Sequence, residues 1–397
     1  MRGKSGRAPF LLGGFPKLQR SSNVVAMSAP PSDDVRLHGH LIGRQGSRHD
    51  LNTPALVVDL GALDRNIAAM AERTRHVRLR PHAKTHKSVD IARRQIAAGA
   101  VGVCCAKLGE AEVLAAGGIA GLHITSPVVA APGIARLIAL NQASDGLSVV
   151  VDYPGNLAAL AAANSAERPL AVFIDIDPGI HRTGVTSPDA AVDLARAIAD
   201  APSLTYAGIQ FYTGREQHIG PLADRRAAIE RKTELLKTYL AALTEVGFPP
   251  AIVTGGGTGT HQIDLELGVL TELQAGSYVF MDDQYQACEA TGGFESSLFV
   301  DARVVSANTP GLVTVDAGLK AFATEGEPPT AAEGRFVFMG DEHGAVIADG
   351  LTAVPGERIV LSVPHCDPTV NLYDSYHLVD GDTLVDIWPI SGRGRSR

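Results

Sequence analysis

Short apolar runs alternate with segments of helical period between residues 78 and 285. The apolar runs predict buried strands because they are short, partly β-branched and bounded by Gly, Pro or Asp. They cover residues 78–84, 101–106, 122–126, 147–153, 170–177, 206–213, 251–255 and 273–281. The segments between them predict helices, such as 88–98 and 224–246, where apolar residues recur on one face. Eight strands alternating with helices predict an α/β fold of the closed (β/α)8 TIM-barrel type.

The helical period is lost after residue 286, where runs such as RIVLSV are separated by Gly and Pro turns. This pattern predicts a smaller, mostly β domain over residues 286–393. The run 54–59 also predicts a strand, which either opens a barrel domain over residues 50–285 or joins the β domain. Residues 1–49 are expected to form a disordered N-terminal tail.

Composition limits both the cellular compartment and the classes of binding partner to be expected for this chain. The chain has 397 residues, is 45% hydrophobic and carries a net charge of −8, which argues against nucleic-acid binding. Four irregularly spaced cysteines argue against a disulfide framework and favour the cytoplasm. No apolar run is long enough to span a membrane. The first 26 residues hold five basic and no acidic residues, which fits either an organelle-targeting peptide or a misassigned start before Met27.

The segment RPHAKTHK, residues 80–87, concentrates cations at the end of the first predicted barrel strand. Active sites of such barrels lie at the carboxyl ends of the strands. On a strand, His82, Lys84 and His86 would share one face. We expect burial and the neighbouring cations to lower the pKa of Lys84, so that it can form a Schiff base with a carbonyl compound. Alternatively, Lys84 pairs with a core carboxylate, or the two histidines bind a metal ion.

The segment TGGGTGT, residues 254–260, follows the seventh predicted strand. Its glycines allow backbone amides to approach an anion, and barrels often bind phosphate at this position. It lacks the lysine of a P-loop, and an ordinary glycine-rich turn remains the alternative. A phosphate site on the same rim as a reactive lysine favours pyridoxal 5′-phosphate (PLP), an aldehyde that carries its own phosphate.

The segment VPHCDPTVNLYD, residues 363–374, offers metal ligands in the predicted β domain. If the segment is extended, His365 and Asp367 share a face and Cys366 points away. One imidazole and one carboxylate with open water positions suit Mn²⁺, Mg²⁺ or Zn²⁺. A turn built around Asp–Pro is the alternative interpretation.

These three motifs, together with GVCCAKLGEAE and ELQAGSYVFMD, resemble the D-threonine aldolase and D-serine dehydratase family. Its members are fold-type III PLP enzymes related to the N-terminal domain of alanine racemase, and the resemblance covers about residues 50–393. It implies that Lys84 is the Schiff-base residue and that a divalent metal binds His365 and Asp367. His86 would be either the proton acceptor or a structural histidine. The implied cofactor contacts besides Lys84 are Arg182, Tyr212, Thr254, Gly256, Gly257, Thr258, Gly276, Ser277 and Tyr278.

The resemblance implies a lyase that cleaves D-3-hydroxy amino acids by a metal-dependent retro-aldol reaction. The substrate would be D-threonine, giving glycine and acetaldehyde, or 3-hydroxy-D-aspartate, giving glycine and glyoxylate. Arg215 is a candidate partner for the second substrate's additional carboxylate. Dehydratases of the family carry cysteine two residues after the metal histidine, whereas Asp367 occupies that position here and favours the aldolase. D-Serine dehydratase is the alternative. A homodimer, in which one subunit's β domain completes the other's site, is also implied.

Overall fold

The computed structural model describes residues 32–397, so the predictions for residues 1–31 lie outside the described residues. Residues 32–397 form one compact unit that contains two eight-stranded sheets. Within this range, no helix has both the length and the apolar character that crossing a bilayer would require.

The first sheet is parallel throughout and contains all eight predicted barrel strands. Its strands are β2 Arg78–Leu79, β3 Val103–Cys105, β4 Leu122–Ile124, β5 Ser148–Val151, β6 Leu170–Ile176, β7 Leu204–Phe211, β8 Ile252–Gly255 and β9 Glu272–Leu273. They pair in the order β2-β9-β8-β7-β6-β5-β4-β3. A parallel bridge between His82 and Cys104 joins the two ends of the sheet. The prediction of a (β/α)8 barrel is therefore confirmed.

Helices follow the barrel strands, as the apolar periodicity predicts. They are α3 Val89–Ala97, α4 Leu108–Ala116, α5 Ala131–Ala143, α6 Pro154–Ala163, α7 Pro188–Ala199, α8 Leu222–Glu245, α9 His261–Leu267 and the short α10 Asp283–Gln286. One further helix, α2 Leu60–Arg73, precedes the first barrel strand. Helix α3 shows why its sequence folds this way. The Ser88 hydroxyl accepts hydrogen bonds from the first helical amides, and Ile91 and Ala92 face the core without exposure.

The second sheet is mostly antiparallel and is built from the C-terminal region together with one early strand. Its strands are β1 Ala55–Asp59, β10 Leu298–Thr309, β11 Leu312–Val315, β12 Arg335–Phe338, β13 Gly344–Ile347, β14 Arg358–Ser362, β15 Ser375–Asp380 and β16 Thr383–Pro389. Strand β1 lies between β10 and β15, so the run 54–59 belongs to this sheet. A short helix, α11 Cys366–Val370, connects β14 to β15.

Residues 33–49 are folded, so the prediction of a disordered tail is wrong for this part of the chain. They form helix α1 Asp33–His38 and the 3-10 helices Gly39–Leu41 and Ser47–Asp50. Leu41 packs in a small buried cluster with residues of β1, β15 and β16. Arg48 bonds the fully buried carboxylate of Asp301 at 2.7 Å. The burial of Leu41 and the ion pair between Arg48 and Asp301 thus hold residues 33–49 against the second sheet, although their sequence is mostly polar.

Two predicted barrel strands end earlier than expected. Strand β2 stops at Leu79 and is followed by a 3-10 helix, Ala83–Thr85, and β9 stops at Leu273 before a 3-10 helix, Ser277–Val279. Pro81 has no amide hydrogen to continue a strand ladder, and His82 Nδ1 accepts the amide of Lys84 to begin the turn. The expectation that His82, Lys84 and His86 share one face of a strand is therefore wrong.

Candidate active site

A cavity of about 210 Å³ opens at the carboxyl ends of the barrel strands. Lys84 lies on its wall, and the other lining residues include His82, Thr125, Arg182, Gln210, Tyr212 and Gln274. A smaller lobe shares Lys84 and Tyr212 with this cavity and adds Gly257, Thr258, Gly276, Ser277 and Tyr285. The lysine motif and the glycine-rich loop therefore meet around one space.

Each lysine and arginine of RPHAKTHK has its own carboxylate partner. Arg80 bonds Glu272 at 2.9 Å, and the Glu272 side chain is fully buried. Lys87 pairs with Glu110, and Lys84 pairs with Asp367. The cations are thus compensated by carboxylates that lie elsewhere in the sequence.

The pKa expected for Lys84 is corrected by this pairing. Burial alone would lower the pKa of Lys84, but the charge of Asp367 and its hydrogen bond with the lysine outweigh burial and raise it above its ordinary value. Likewise, burial alone would raise the pKa of Asp367, but Lys84 holds it well below the usual range of a carboxyl group. In this state Lys84 is an ammonium, and a neutral amine requires that its proton be lost or that Asp367 find another cation.

His82 is a neutral residue of the cavity wall. Burial and the charge of Lys84 hold its pKa well below the ordinary value. Its Nδ1 accepts the amide of Lys84, so the proton resides on Nε2 and is donated to the Thr125 hydroxyl at 3.1 Å. His82 can therefore present a ring face to a bound group without adding charge.

His86 does not reach the cavity. Its side chain is fully buried, its Nδ1 accepts the amide of Ser88, and its Nε2 has no hydrogen-bond partner among the described residues. Burial lowers the pKa of His86 to about 4. This position agrees better with the structural alternative than with a proton acceptor.

The smaller lobe has the donors that a phosphate group requires. Within residues 32–397, the backbone amides of Thr258, Gly276 and Ser277 donate to no protein acceptor. The Thr258 hydroxyl accepts the amide of Tyr278 at 3.0 Å and so joins the two loops that form the lobe. A Cβ on Gly276 would lie 2.6 Å from the His82 carbonyl oxygen, so only glycine fits there. These features fit the phosphate of PLP, with the lysine nitrogen in the same cavity.

Three of the predicted cofactor contacts, Thr254, Gly256 and Tyr278, line neither the cavity nor its smaller lobe. The Thr254 hydroxyl is buried and accepts from Gln274 at 3.1 Å. Gly256 adopts a positive φ of 68° against Asp264. The Tyr278 ring is fully buried, and its hydroxyl accepts from Gln95 at 3.0 Å. These residues shape the loops behind the lobe.

Arg182 and Tyr212 line the cavity together, as predicted cofactor contacts should. The Arg182 guanidinium lies 5.7 Å from the centre of the Tyr212 ring. Arg215, the candidate for an additional substrate carboxylate, is exposed and donates to the Ile180 carbonyl at 3.4 Å, outside the cavity lining.

The two predicted metal ligands lie at the start of helix α11. His365 is the residue before the helix and Asp367 lies in its first turn, so the segment is not extended and the alternative of a turn around Asp–Pro describes it better. The Asp282 carboxylate accepts the Cys366 amide at 2.8 Å and anchors this turn. Asp367 contacts Lys84 of the same chain. An imidazole and a carboxylate beside the reactive lysine fit a divalent metal such as Mn²⁺ or Zn²⁺.

His218 borders this site through Tyr285, a residue of the smaller lobe, and the sequence analysis missed it. Its ring packs on that of Tyr285, with the centroids 4.4 Å apart. Although the His218 side chain is exposed, desolvation by the surrounding protein lowers its pKa to about 4, with further lowering by His365 and Lys84. A neutral imidazole close to both can accept a proton. The available signal was a histidine six residues after Tyr212, just past the end of a barrel strand.

A separate group of potential metal ligands, Asp34, His38 and His377, lies where helix α1 meets strand β15. Their ligand atoms are all within 4.8 Å of one another. His38 Nε2 accepts the amide of Asn52 at 3.0 Å, so the proton resides on His38 Nδ1 and is donated to His377 Nε2 at 2.9 Å. His377 Nδ1 in turn donates to the Leu56 carbonyl. The hydrogen bonds therefore occupy all four ring nitrogens, and a metal ion would have to displace the shared proton.

Known proteins resemble this chain over most of its length. Residues 58–284 match the family described as alanine racemase, N-terminal domain, and residues 297–379 match a putative serine dehydratase domain. The chain is 38% identical to the 3-hydroxy-D-aspartate aldolase of Paracoccus denitrificans strain Pd 1222, over 87% of this chain and 93% of the relative. It is 41% identical to a D-threonine aldolase of an Arthrobacter species, over 87% and 94%. The crystal structure of D-threonine aldolase from Filomicrobium marinum superposes with a TM-score of 0.85 at 38% identity, over 88% and 97%.

Proposed function

This chain belongs to the alanine racemase N-terminal domain family, in the branch of D-amino acid aldolases and dehydratases, and from that premise we propose that it is a PLP- and metal-dependent D-3-hydroxy amino acid aldolase. Its substrate is D-threonine or 3-hydroxy-D-aspartate, and its common product is glycine.

The observation that carries this proposal is the contact between Lys84 and Asp367. Lys84 is the candidate cofactor-binding lysine, and Asp367 is half of the candidate metal pair. A retro-aldol cleavage needs both functions on neighbouring atoms, because the bond between Cα and Cβ breaks while the hydroxyl on Cβ loses its proton. A metal pair remote from the lysine would have no such use.

Bound at these residues, PLP would withdraw the electron pair released at Cα, and the divalent metal would lower the pKa of the β-hydroxyl. Lys84 would hold the cofactor aldehyde through Nζ, and the amides of Thr258, Gly276 and Ser277 would hold the phosphate. His365 and Asp367 would hold the metal.

Residues of this chain would also accept and donate the protons of the reaction. We propose His218 as the acceptor of the β-hydroxyl proton, because it is neutral and because its ring packs on Tyr285, which lines the smaller lobe of the cavity. His86 is fully buried whereas the His218 side chain is exposed, and so His86 suits this role less well. Lys84, once freed from the cofactor, would supply the proton that glycine needs at Cα.

Asp367 also favours cleavage over elimination. A carboxylate is a harder ligand than the cysteine that family dehydratases place at this position, and it suits Mn²⁺ or Mg²⁺ as well as Zn²⁺. D-Serine dehydration to pyruvate and ammonia therefore remains the second candidate.

Product identification tests the proposal. The purified protein, supplied with PLP and Mn²⁺, is incubated separately with D-threonine, 3-hydroxy-D-aspartate and D-serine. We expect glycine with acetaldehyde or glyoxylate from at least one of the first two substrates. Pyruvate from D-serine without glycine from the others would favour the dehydratase, and no product from any of them would contradict the proposal.

A further inference from the structure

The His365 ring contacts Glu325, a residue that is not one of the proposed metal ligands. Its Nδ1 lies 2.8 Å from Oε1 of Glu325, a residue in the segment between β11 and β12. The His365 side chain is 28% exposed and that of Glu325 is 57% exposed. A bond between two segments 40 residues apart fixes the orientation of the imidazole ring.

This contact has a direct consequence for metal binding. A histidine binds a metal through a nitrogen that carries no proton, so its proton must reside on the other nitrogen. A carboxylate that accepts this proton fixes the tautomer, orients the ring and makes the binding nitrogen more basic. Glu325 meets His365 at Nδ1, which leaves Nε2 as the nitrogen that is free to bind a metal.

We propose that Glu325 is a positioning residue for the metal centre: it holds His365 in the tautomer whose Nε2 binds the divalent ion. This inference rests on the proposed function, because it assumes that His365 is a metal ligand. Glu325 would touch neither substrate nor cofactor and would act only through His365.

The competing interpretation is that Glu325 and His365 form an ordinary surface ion pair. Such a pair contributes little to folding and has no effect on metal affinity. The two interpretations differ in what the Glu325 variants change. A positioning role changes the dissociation constant for the metal, whereas a surface pair changes at most the stability of the metal-free protein.

The chain supplies a matched control for the charge. Glu327 lies two residues further along the same segment, is exposed, and makes no ion pair among the described residues. Glu327→Gln changes the net charge of the segment as Glu325→Gln does, but it leaves the bond to His365 in place.

The test is calorimetric titration of Mn²⁺ into chelator-treated, PLP-loaded protein. We expect Glu325→Ala to weaken Mn²⁺ binding about 10–100-fold. Glu325→Gln keeps an acceptor oxygen without the charge and should weaken binding less, while Glu327→Gln should bind as the wild type does. Activity of Glu325→Ala should return towards the wild-type value at saturating Mn²⁺. The unfolding temperature of each metal-free variant shows that it is folded.

Equal Mn²⁺ affinity in the wild type and in folded Glu325→Ala would overturn the inference and leave the proposed function intact. Equal loss in Glu325→Gln and Glu327→Gln would overturn it as well, since the effect would then be one of net charge. A wild-type protein that binds no Mn²⁺, or binds it equally after His365→Ala, would refute the proposed metal site and the inference with it.

Discussion

Lys84, Arg80 and Lys87 each bond a carboxylate from a distant part of the chain, namely Asp367, Glu272 and Glu110. The sequence identified Lys84 as the reactive lysine but could not reveal these partners, since pairing across tens or hundreds of residues leaves no local pattern. From the sequence alone, the pKa of Lys84 is expected to fall, whereas in the structure the charge of Asp367 raises it. The alternative of a lysine paired with a carboxylate describes the structure better.

Glu272 offers a stability prediction at the residue scale. It is fully buried and bonds both Arg78 and Arg80. Glu272→Gln leaves Arg80 as a buried charge with a weaker partner, so we expect a loss of about 3–5 kcal/mol in the free energy of unfolding. Glu342→Gln, which breaks the exposed pair with Lys320, should cost at most about 1 kcal/mol. Urea denaturation measures both, and equal losses would contradict the prediction.

His218 offers a catalytic prediction at the same scale. If it accepts the β-hydroxyl proton, His218→Asn should lower kcat about 10²–10⁴-fold, because general-base catalysis contributes that much. The visible absorbance of bound PLP should not change, since His218 does not hold the cofactor. His76→Asn, at an exposed histidine before strand β2, is the control. A kcat for His218→Asn close to the wild-type value would exclude this role.

At the scale of elements, apolar periodicity predicted the barrel well but not the turns that form its site. The runs 78–84 and 273–281 each contain a short strand followed by a 3-10 helix, and a helix begins at Cys366. Apolar residues pack in all three conformations, so hydrophobicity alone could not distinguish them. The outcome matters for function, because the turn after Leu79 brings Lys84 to the cavity and buries His86.

Helix α9, which follows the glycine-rich loop, predicts a pH effect on stability through Asp264. Burial raises the pKa of Asp264 from 3.8 to about 7, although its bond from the Thr260 hydroxyl opposes this shift. The folded protein thus holds this proton more tightly than the unfolded chain. The contribution of Asp264 to the free energy of unfolding is complete below about pH 4 and is lost as the pH rises to about 7.

Asp264→Asn should therefore gain stability relative to the wild type when the pH is raised from 5 to 8. Denaturant midpoints at the two pH values measure this change. Asp349→Asn, at an exposed aspartate, should show no such gain. A difference between Asp264→Asn and the wild type that is constant from pH 5 to pH 8 would contradict the assignment.

At the scale of the whole molecule, the site exists because the second sheet packs against the carboxyl end of the barrel. Lys84 follows β2, whereas Asp367 follows β14, and they meet in one chain. The sequence predicted both motifs and, by resemblance, their common function. Their contact depends on how the two sheets pack, which no local pattern encodes. The expected dimer stays a prediction.

Removal of the metal tests whether the cofactor lysine and the proposed metal ligands act in one site. We expect dialysis against a chelator to abolish aldolase activity while the PLP absorbance persists, because Lys84 holds the cofactor without the metal. Added Mn²⁺ should restore the activity. Asp34→Asn, in the separate group near β15, should leave this metal dependence unchanged, whereas His365→Ala should abolish the recovery. Loss of activity in Asp34→Asn but not in His365→Ala would assign the metal to the other group.

The central claim is that Lys84 carries the cofactor in the cavity beside Asp367. Borohydride reduction of the PLP-loaded protein makes the link between lysine and cofactor permanent, and peptide mass spectrometry then identifies the modified residue. The account predicts the pyridoxyl group on Lys84 and no visible cofactor absorbance in Lys84→Ala. A label on another lysine, or no label on a protein saturated with PLP, would contradict it.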